Sequence, residues 1–559
     1  MSDVPPRTLS GRKQKTIYHR VPDVIDHWSR RAFAATCLVW LAAGVGLGLL
    51  WAPAYLLLVP WALFLVRGAV DMTQRHHTIL RNFPVLGHLR YLLESMRPEL
   101  RQYFVESDRE ANPFDREDRT VVYQRAKDVV DTLPFGTRDD LYCIGREWIQ
   151  HSLFPRHVPE ERRRVTVGGE GCMQPYSAAL LNVSAMSFGS LSWAAIEALN
   201  RGAKLGDFAH NTGEGGISPY HRQGGDLVWQ IGTGYFGCRT PAGGFDPEAF
   251  AEKAAWPEVK MIELKLSQGA KPAHGGILPG RKVTPEIAKI RGVPVGRDVI
   301  SPPAHSAFDG PYGLVAFVAR LRELSGGKPV GFKLCLGNPV EFLTLCHAMR
   351  DLDIVPDFIT VDGAEGGTGA APIEFSNSVG TPLDEGLTFV HNALLGAGLR
   401  DRLRLVSAGK IATGFHIVRQ LALGADLCNA ARTMLFALGC IQALKCNTNR
   451  CPTGVATQDR ALAKGLDVES KAWRVRNFQS KTVESALELI GAAGLDDPAR
   501  LRPYHVVRRV SRTEVRHLGE IFPLVESGAF LEGKAPPELQ AWWSVARRKA
   551  DKAARPSAN

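Results

Sequence analysis

From Val165 onward the chain repeats one pattern, a short β-rich run ending in Gly, Ser or Asn and then a stretch of helical length. The runs are Val183–Ser187, Phe208–Asn211, Met261–Leu266, Val330–Leu336, Phe358–Asp362, Leu403–Ser407 and Asp426–Ala430. Strands alternating with helices build parallel sheets. The 165–435 span suits an eight-stranded barrel of about 250 residues with one strand hidden, whose sites lie at the C-terminal strand ends. A doubly wound sheet is the competing arrangement, but no GxGxxG occupies the first βα turn. The predicted fold class is α/β, a (β/α)8 TIM barrel carrying an N-terminal transmembrane helical hairpin and a helical linker.

The hairpin comes from Ala32–Val66, 35 residues without one charged side chain. A helix of about 20 apolar residues spans a bilayer, whereas a signal-peptide core runs about 7–15. Pro53 interrupts a continuous helix, which divides the stretch into spans at Ala32–Trp51 and Ala54–Val66, the second extending to Val70. One kinked span or a re-entrant loop is the alternative. Arg12, Lys13, Lys15, Arg20, Arg30 and Arg31 precede the stretch and Arg67 and Arg75 follow it, which puts both ends in the cytoplasm. Trp40, Trp51, Tyr55 and Trp61 suit the two interfaces. The expected organisation is a basic tail over 1–31, the hairpin over 32–70 and a polar, Arg-rich, mostly helical linker and cover over 71–160 with no visible chemistry. The barrel follows over 161–510 and a basic extension over 511–559.

The net charge of +11 resembles that of a nucleic-acid binder until it is located. Residues 1–31 hold seven Arg/Lys against three Asp, and 540–559 hold five against one, so the body is close to neutral. Tail charges beside an anionic membrane face account for this excess, and no nucleic-acid partner is expected. Trp542 and Trp543, next to Arg547, Arg548 and Lys549, fit either a C-terminal interfacial helix or a solvated tail.

Gly-rich polar motifs follow the runs. Ser184-Ala-Met-Ser-Phe-Gly-Ser190 offers small side chains that let a planar ring approach the backbone, and a tight turn explains the same composition. Asn211-Thr-Gly-Glu-Gly-Gly216 places Glu214 among glycines, for a reacting carboxylate or a loop cap. Lys265, Lys271 and Arg291 surround another Gly-rich loop and suit carboxylates, or form a solvated basic loop. Lys333 lies within an apolar strand and needs an anionic partner; the N1 side of a reduced flavin is one. Asp362-Gly-Ala-Glu-Gly-Gly-Thr-Gly369 follows another run. Ser407-Ala-Gly-Lys-Ile-Ala-Thr-Gly414 resembles a phosphate-holding strand-to-helix turn, and Ala430-Ala-Arg-Thr433 is its natural second half.

The sharpest motif is Cys440-x5-Cys446-x4-Cys451-Pro452, because three thiolates so spaced, the last before proline, suit an iron–sulfur cluster. Zinc wants a fourth ligand, for which His416 and Cys428 are distant candidates, so three ligands favour a 3Fe-4S cluster. Three buried free cysteines are the alternative.

Seven ordered motifs together resemble the FMN-binding synthase domain of glutamate synthase, over about residues 160–510. They are Ser184–Gly189, Asn211–Gly216, Lys265-x2-Gln-Gly-Ala-Lys-Pro272, Leu278-Pro-Gly280, Ile300-Ser-Pro-Pro303, Asp362-Gly-x2-Gly-Gly-Thr-Gly369 and the cysteines with Pro452-x-Gly-Val-Ala-Thr-Gln458. The chain closely resembles the short, single-domain FMN-binding glutamate synthase family proteins, some of which carry an N-terminal membrane segment. The resemblance implies a TIM barrel holding FMN and a 3Fe-4S cluster, bound by Cys440, Cys446 and Cys451 in the 440–458 loop. It implies hydride transfer to 2-iminoglutarate, made from 2-oxoglutarate and ammonia, to give L-glutamate. By the same resemblance Ala185, Met186, Ser187 and Lys333 line the flavin. Gly409, Lys410, Ala431 and Arg432 hold its phosphate, and Ser187, Glu214, Lys271 and Arg291 serve the oxo acid.

Within Ala273-His-Gly-Gly-Ile-Leu-Pro-Gly280, His274 stands where the family has an acid and Ile277 where it has a substrate-contacting Gln. No glutaminase domain and no NAD(P)H fingerprint are visible, so nitrogen comes from ammonia, another amine or a partner amidotransferase. Electrons come from a ferredoxin, a partner subunit or quinol. The expected protein is an oxidoreductase on the cytoplasmic (inner) membrane with its catalytic domain in the cytoplasm, acting on a 2-oxo acid or amino acid, and a homo-oligomer is compatible with it. The alternatives are a quinone- or ferredoxin-linked amino or hydroxy acid dehydrogenase and a non-catalytic electron-transfer scaffold.

Overall fold

The computed structural model describes residues 28–554, so most of the basic 1–31 tail lies outside the described residues. The chain divides into two compact units, Met1–Glu106 and Ser107–Asn559. This division falls inside the 71–160 segment that the sequence reads as one linker.

In the first unit, α1 (Arg30–Leu50) and α2 (Leu58–Thr73) are joined by a 3-10 turn, Ala52–Leu57, that contains Pro53. The Ser29 hydroxyl accepts the Ala32 N–H at 3.3 Å and starts α1. The helices run antiparallel, with Phe33 against Gly68, Leu58 against Gly44 and Tyr55 against Gly48. A Cβ on Gly48 would stand 2.5 Å from the Tyr55 ring, so only glycine permits this approach. The Trp61 indole donates to the Cys37 carbonyl at 2.8 Å. Arg30–Leu50 and Ala52–Thr73 are each long and apolar enough to cross a bilayer. After the short helix Thr78–Asn82 comes α3 (Gly87–Leu100).

The second unit is built on a closed barrel of eight parallel strands: β1 (Leu181–Val183), β2 (His210–Asn211), β3 (Leu227–Ile231), β4 (Val259–Lys265), β5 (Val330–Leu334), β6 (Phe358–Asp362), β7 (Arg404–Ala408) and β8 (Leu427–Ala430). The ring closes where β8 pairs with β1, Cys428 opposite Leu181 and Ala430 opposite Val183. A doubly wound sheet is thereby excluded. The strand absent from the sequence reading is β3. Its five residues are all buried and only a 3-10 turn, Pro219–His221, separates it from β2, so the strand–helix rhythm skips it. The first run is also displaced: the strand is Leu181–Val183, and Ser184–Ser190 form the loop beyond it.

Alternate residues face the barrel interior and stack in layers. Val228, Met261, Phe358, Val406 and Leu427 form an apolar floor with Val167 and Tyr176 of a two-stranded cover. Two residues further along four of these strands come Gln230, Glu263, Thr360 and Asn429, with Ala408 on the fifth, and above Glu263 and Thr360 stand Lys265 and Asp362. The interior therefore turns from apolar to charged toward the strand C-termini.

Around the barrel lie α4 (Arg116–Lys127), α5 (Trp193–Gly206), α6 (Pro339–Leu352), α7 (Arg432–Leu438), α8 (Val468–Ala492) and α9 (Pro537–Ala553). The 71–160 segment is less helical than expected, since 128–159 is irregular apart from the strand Glu147–Ile149. The C-terminal helix is neither a free interfacial helix nor a solvated tail. Trp543 of α9 is buried, stacked on His347 of α6 with ring centroids 3.6 Å apart, and Arg547 pairs with Asp351 at 2.8 Å.

Candidate functional site

The loops after the strands enclose a cavity of about 620 Å³ over the charged end of the barrel. Its wall carries Lys265, Lys271, Lys282, Arg291, Lys333, Arg432 and Lys445 against only Glu214 and Asp362. Cations in such excess, held away from bulk water, form a site for anions.

The first two loops meet at Gly213, whose φ of +63° and a Cβ position 2.7 Å from the Ser187 amide both demand glycine. Ser187 and Glu214 thus face one space. Lys265 Nζ donates to Glu214 Oε1 at 2.7 Å. Burial acts to raise the Glu214 carboxyl, but the Lys265 ammonium outweighs it and holds the acid below its ordinary value. The Arg291 guanidinium donates to Ser187 Oγ at 3.3 Å and to the Phe188 carbonyl at 3.1 Å, while its buried Nε has no partner. Lys271 donates to the Ala370 carbonyl at 3.0 Å, and burial with Lys265 nearby lowers it to about 8. Among the described residues neither Lys271 nor Arg291 forms an ion pair, so both stand ready for a carboxylate.

Lys333 pairs with Asp362 at 3.2 Å, and Asp362 also accepts the Gly269 amide at 3.0 Å. Burial opposes its charge, yet Asp362 and Glu263 outweigh burial and keep the ammonium protonated. Glu263 is a residue that the sequence reading left without a role. It accepts from Asn211 at 2.8 Å, Gln230 at 2.6 Å and Thr360 at 2.8 Å, a buried carboxylate fully satisfied beneath the site. Its signal is an acid between the apolar Ile262 and Leu264, two residues before Lys265.

At the far end, Gly409, Ala431 and Arg432 line the cavity, and Arg432 donates to the Glu365 carbonyl at 2.5 Å. Lys410 does not line it. Its ammonium lies 5.9 Å above the Phe114 ring, and the Arg432 guanidinium lies 5.0 Å from the same ring. Phe114 belongs to the stretch before α4 that the sequence reading credited with no chemistry, and Pro113 beside it lines the cavity. Phe114 also packs edge-on against Phe436, and its carbonyl accepts from Gln442 at 3.1 Å.

Cys440, Cys446 and Cys451 all line the same cavity. Left-handed turns at Gln442, Leu444 and Asn449 fold their loop back on itself. Burial lifts Cys440 to about 12 and raises Cys446, each reinforced by neighbouring cysteines. Burial also acts to raise Cys451, but the Thr453 hydroxyl and the amides of Ala456, Thr453 and Val455 outweigh it and lower the thiol. Amides converging on a thiolate fit a metal-bound sulfur. Among the described residues no three His, Cys, Asp or Glu stand close enough to hold a metal ion as placed. His416 and Cys428 do not join the set: the His416 ring accepts the Ala412 amide at 3.2 Å, and Cys428 is buried in β8.

The cysteine loop is stapled to the first βα loop. Lys282, also unassigned in the sequence reading, donates to the carbonyls of Ser190 at 2.8 Å and Ala456 at 3.0 Å. Gln458 donates to those of Gly189 at 3.0 Å and Leu191 at 2.8 Å. Ile277 lines the cavity, whereas His274 turns to the Gly275 carbonyl at 2.9 Å and lies edge-on to Phe375.

Residues 163–496 match the model of a conserved region in glutamate synthase. The chain is 39% identical over 495 residues to the glutamate synthase large subunit-like protein YerD of Bacillus subtilis, covering 81% of this chain and 93% of that protein. It is 34% identical over 322 residues to the archaeal glutamate synthase (NADPH) of Methanocaldococcus jannaschii, where the match spans 57% of this chain and 60% of that protein. Among solved structures, mandelate oxidase with benzoyl-formic acid is matched over 71% of this chain and 98% of that chain, at 14% identity and a TM-score of 0.41.

Proposed function

The chain belongs to the glutamate synthase family, a family of oxidoreductases acting on CH–NH2 donors, and from that membership we propose that it reductively aminates a 2-oxo acid with ammonia at an FMN site on a membrane. The observation that carries the reading is the cavity over the barrel, lined by seven cations and two carboxylates. FMN fits this set: Arg432 and the Gly409 and Ala431 backbone would hold its phosphate, Ala185, Met186 and Ser187 would flank the ring, and Lys333 would face its pyrimidine side. When bound it supplies hydride chemistry. Cys440, Cys446 and Cys451 would hold an iron–sulfur cluster, a 3Fe-4S centre by ligand count, which supplies one-electron chemistry.

Lys271 and Arg291 bind the carboxylate of 2-oxoglutarate or a related oxo acid and fix its carbonyl carbon in the cavity. Ammonia adds to that carbon and water leaves, giving an imine such as 2-iminoglutarate. A hydride to that carbon, which FMN reduced by the electron donor would supply, and a proton to nitrogen would give the amino acid, L-glutamate in the case of 2-oxoglutarate. The Glu214 carboxylate, kept ionised by Lys265, stabilises the cationic nitrogen. The apolar hairpin supports a second reading, in which the same site runs oxidatively on an amino or hydroxy acid and passes electrons to quinone. In both readings the hairpin anchors the chain in the cytoplasmic membrane.

The test is Lys271→Ala and Arg291→Ala in the full chain, with reduced artificial donor, 2-oxoglutarate and ammonia. Loss of a charge-assisted contact corresponds to about 10- to 100-fold weaker oxo-acid binding, with flavin retained. Unchanged kinetics in both variants would overturn the substrate assignment.

A further inference from the structure

Past the hairpin, α3 carries an exposed apolar face. Leu89, Leu92, Leu93, Met96, Leu100 and Phe104 recur at intervals of one, three or four residues along α3 and the turn of π-helix that extends it, Arg101–Val105. That spacing puts them on a single stripe. Each is between 38% and 82% exposed. Arg90, Glu94, Arg97 and Arg101 fall together along one flank of that stripe by the same spacing, and Arg90 pairs with Glu94 at 3.0 Å. A soluble surface does not ordinarily present six large apolar side chains in one row.

The start of this helix is fixed to the end of the hairpin. Asp71, in the last turn of α2, is buried; it accepts the Val85 amide at 2.9 Å and meets the His88 ring at 2.9 Å. Arg67 reaches the same His88 Nε2 at 3.1 Å, and the Trp28 indole, just before α1, donates to the Pro84 carbonyl at 2.7 Å. The apolar row therefore begins where the apolar hairpin ends. Charge agrees with that level: residues 67–106 hold six Arg against four Asp/Glu.

We propose that α3 and its π-helical extension lie along the surface of an anionic bilayer, with Leu89, Leu93, Met96 and Phe104 in the acyl boundary and Arg90, Arg97 and Arg101 toward headgroups and water. The proposal rests on the hairpin's crossing the membrane. It gives the residues after the spans a function of their own, a second contact with lipid.

The test uses the full chain in nanodiscs of equal parts phosphatidylcholine and phosphatidylglycerol, with p-benzoylphenylalanine placed singly at Leu93, Phe104, Glu94 or Leu49. Irradiation and mass spectrometry then count lipid adducts. Leu93 and Phe104 are expected to give at least about tenfold more lipid adduct than Glu94, comparable with Leu49 in α1. Adduct at Leu49 with none at Leu93 or Phe104 overturns the proposal and leaves the spanning hairpin standing. Crosslinks from Leu93 to a second copy of the chain assign the face to an oligomer instead. Absence of adduct at Leu49 as well removes the hairpin reading and this proposal together.

Discussion

The Tyr123 hydroxyl donates to the Cys440 carbonyl at 2.5 Å, joining α4 to the cysteine loop across 317 residues of sequence. With Phe114 between Arg432 and Phe436, and Gln442 donating to the Phe114 carbonyl, the 113–127 stretch touches both the proposed phosphate end and the first cysteine. Tyr123→Phe removes one bond worth about 1 kcal/mol. Flavin content is expected to stay unchanged while iron retained after gel filtration falls and Cys440 alkylates faster. Equal iron and equal alkylation in parent and variant would mean that α4 is only a cover.

Arg432 is a half-buried cation that donates to a backbone carbonyl. Its proposed counter-charge is the flavin phosphate. Arg432→Ala is therefore expected to weaken FMN binding about 10- to 100-fold and leave riboflavin binding as it was, measured by fluorescence titration of the flavin-stripped protein. A variant that loses both ligands equally would place Arg432 in the packing of the loop.

Lys271, lowered by burial to about 8, loses its proton as pH rises through that value in the free enzyme. An anionic oxo acid binds the ammonium form, so its dissociation constant is expected to be level below pH 8 and to rise about tenfold per unit above. Lys271→Arg, with an ordinary pKa above 12, moves this rise out of the accessible range. A parent profile that stays level to pH 10 would remove Lys271 from the carboxylate contact.

Burial, reinforced by Asp115 and Glu117, lifts Asp118 from 3.8 to about 7 against the opposing pull of Lys410 and Arg109. The folded chain then binds more protons than the unfolded one between about pH 4 and pH 7, so this group costs stability progressively as pH rises through that window. Asp118→Asn is expected to raise Tm over the parent at pH 8 and to match it near pH 4. The same difference at both pH values would mean that Asp118 titrates normally.

Seven of the eight barrel strands are legible because each ends in a Gly-rich or polar loop and most are followed by a helix. The strand Leu227–Ile231 follows a loop instead and escapes that rhythm. Site residues that announce themselves are charges in apolar runs, such as Lys333, or residues set among glycines, such as Glu214. Lys282 and Phe114 give no such sign. Lys282 acts through two carbonyls from distant loops, and Phe114 through rings and cations more than 290 residues away. The fate of Trp543 depends likewise on His347, which only the folded chain brings beneath it.

The full chain, purified without oxygen and analysed for flavin, iron and sulfide per polypeptide, reports on both proposed redox groups at once. About one FMN and about three irons per chain are expected, with a flavin spectrum that shifts on adding 2-oxoglutarate. A folded protein that takes up no FMN when offered an excess would overturn the assignment of the cavity to a flavin.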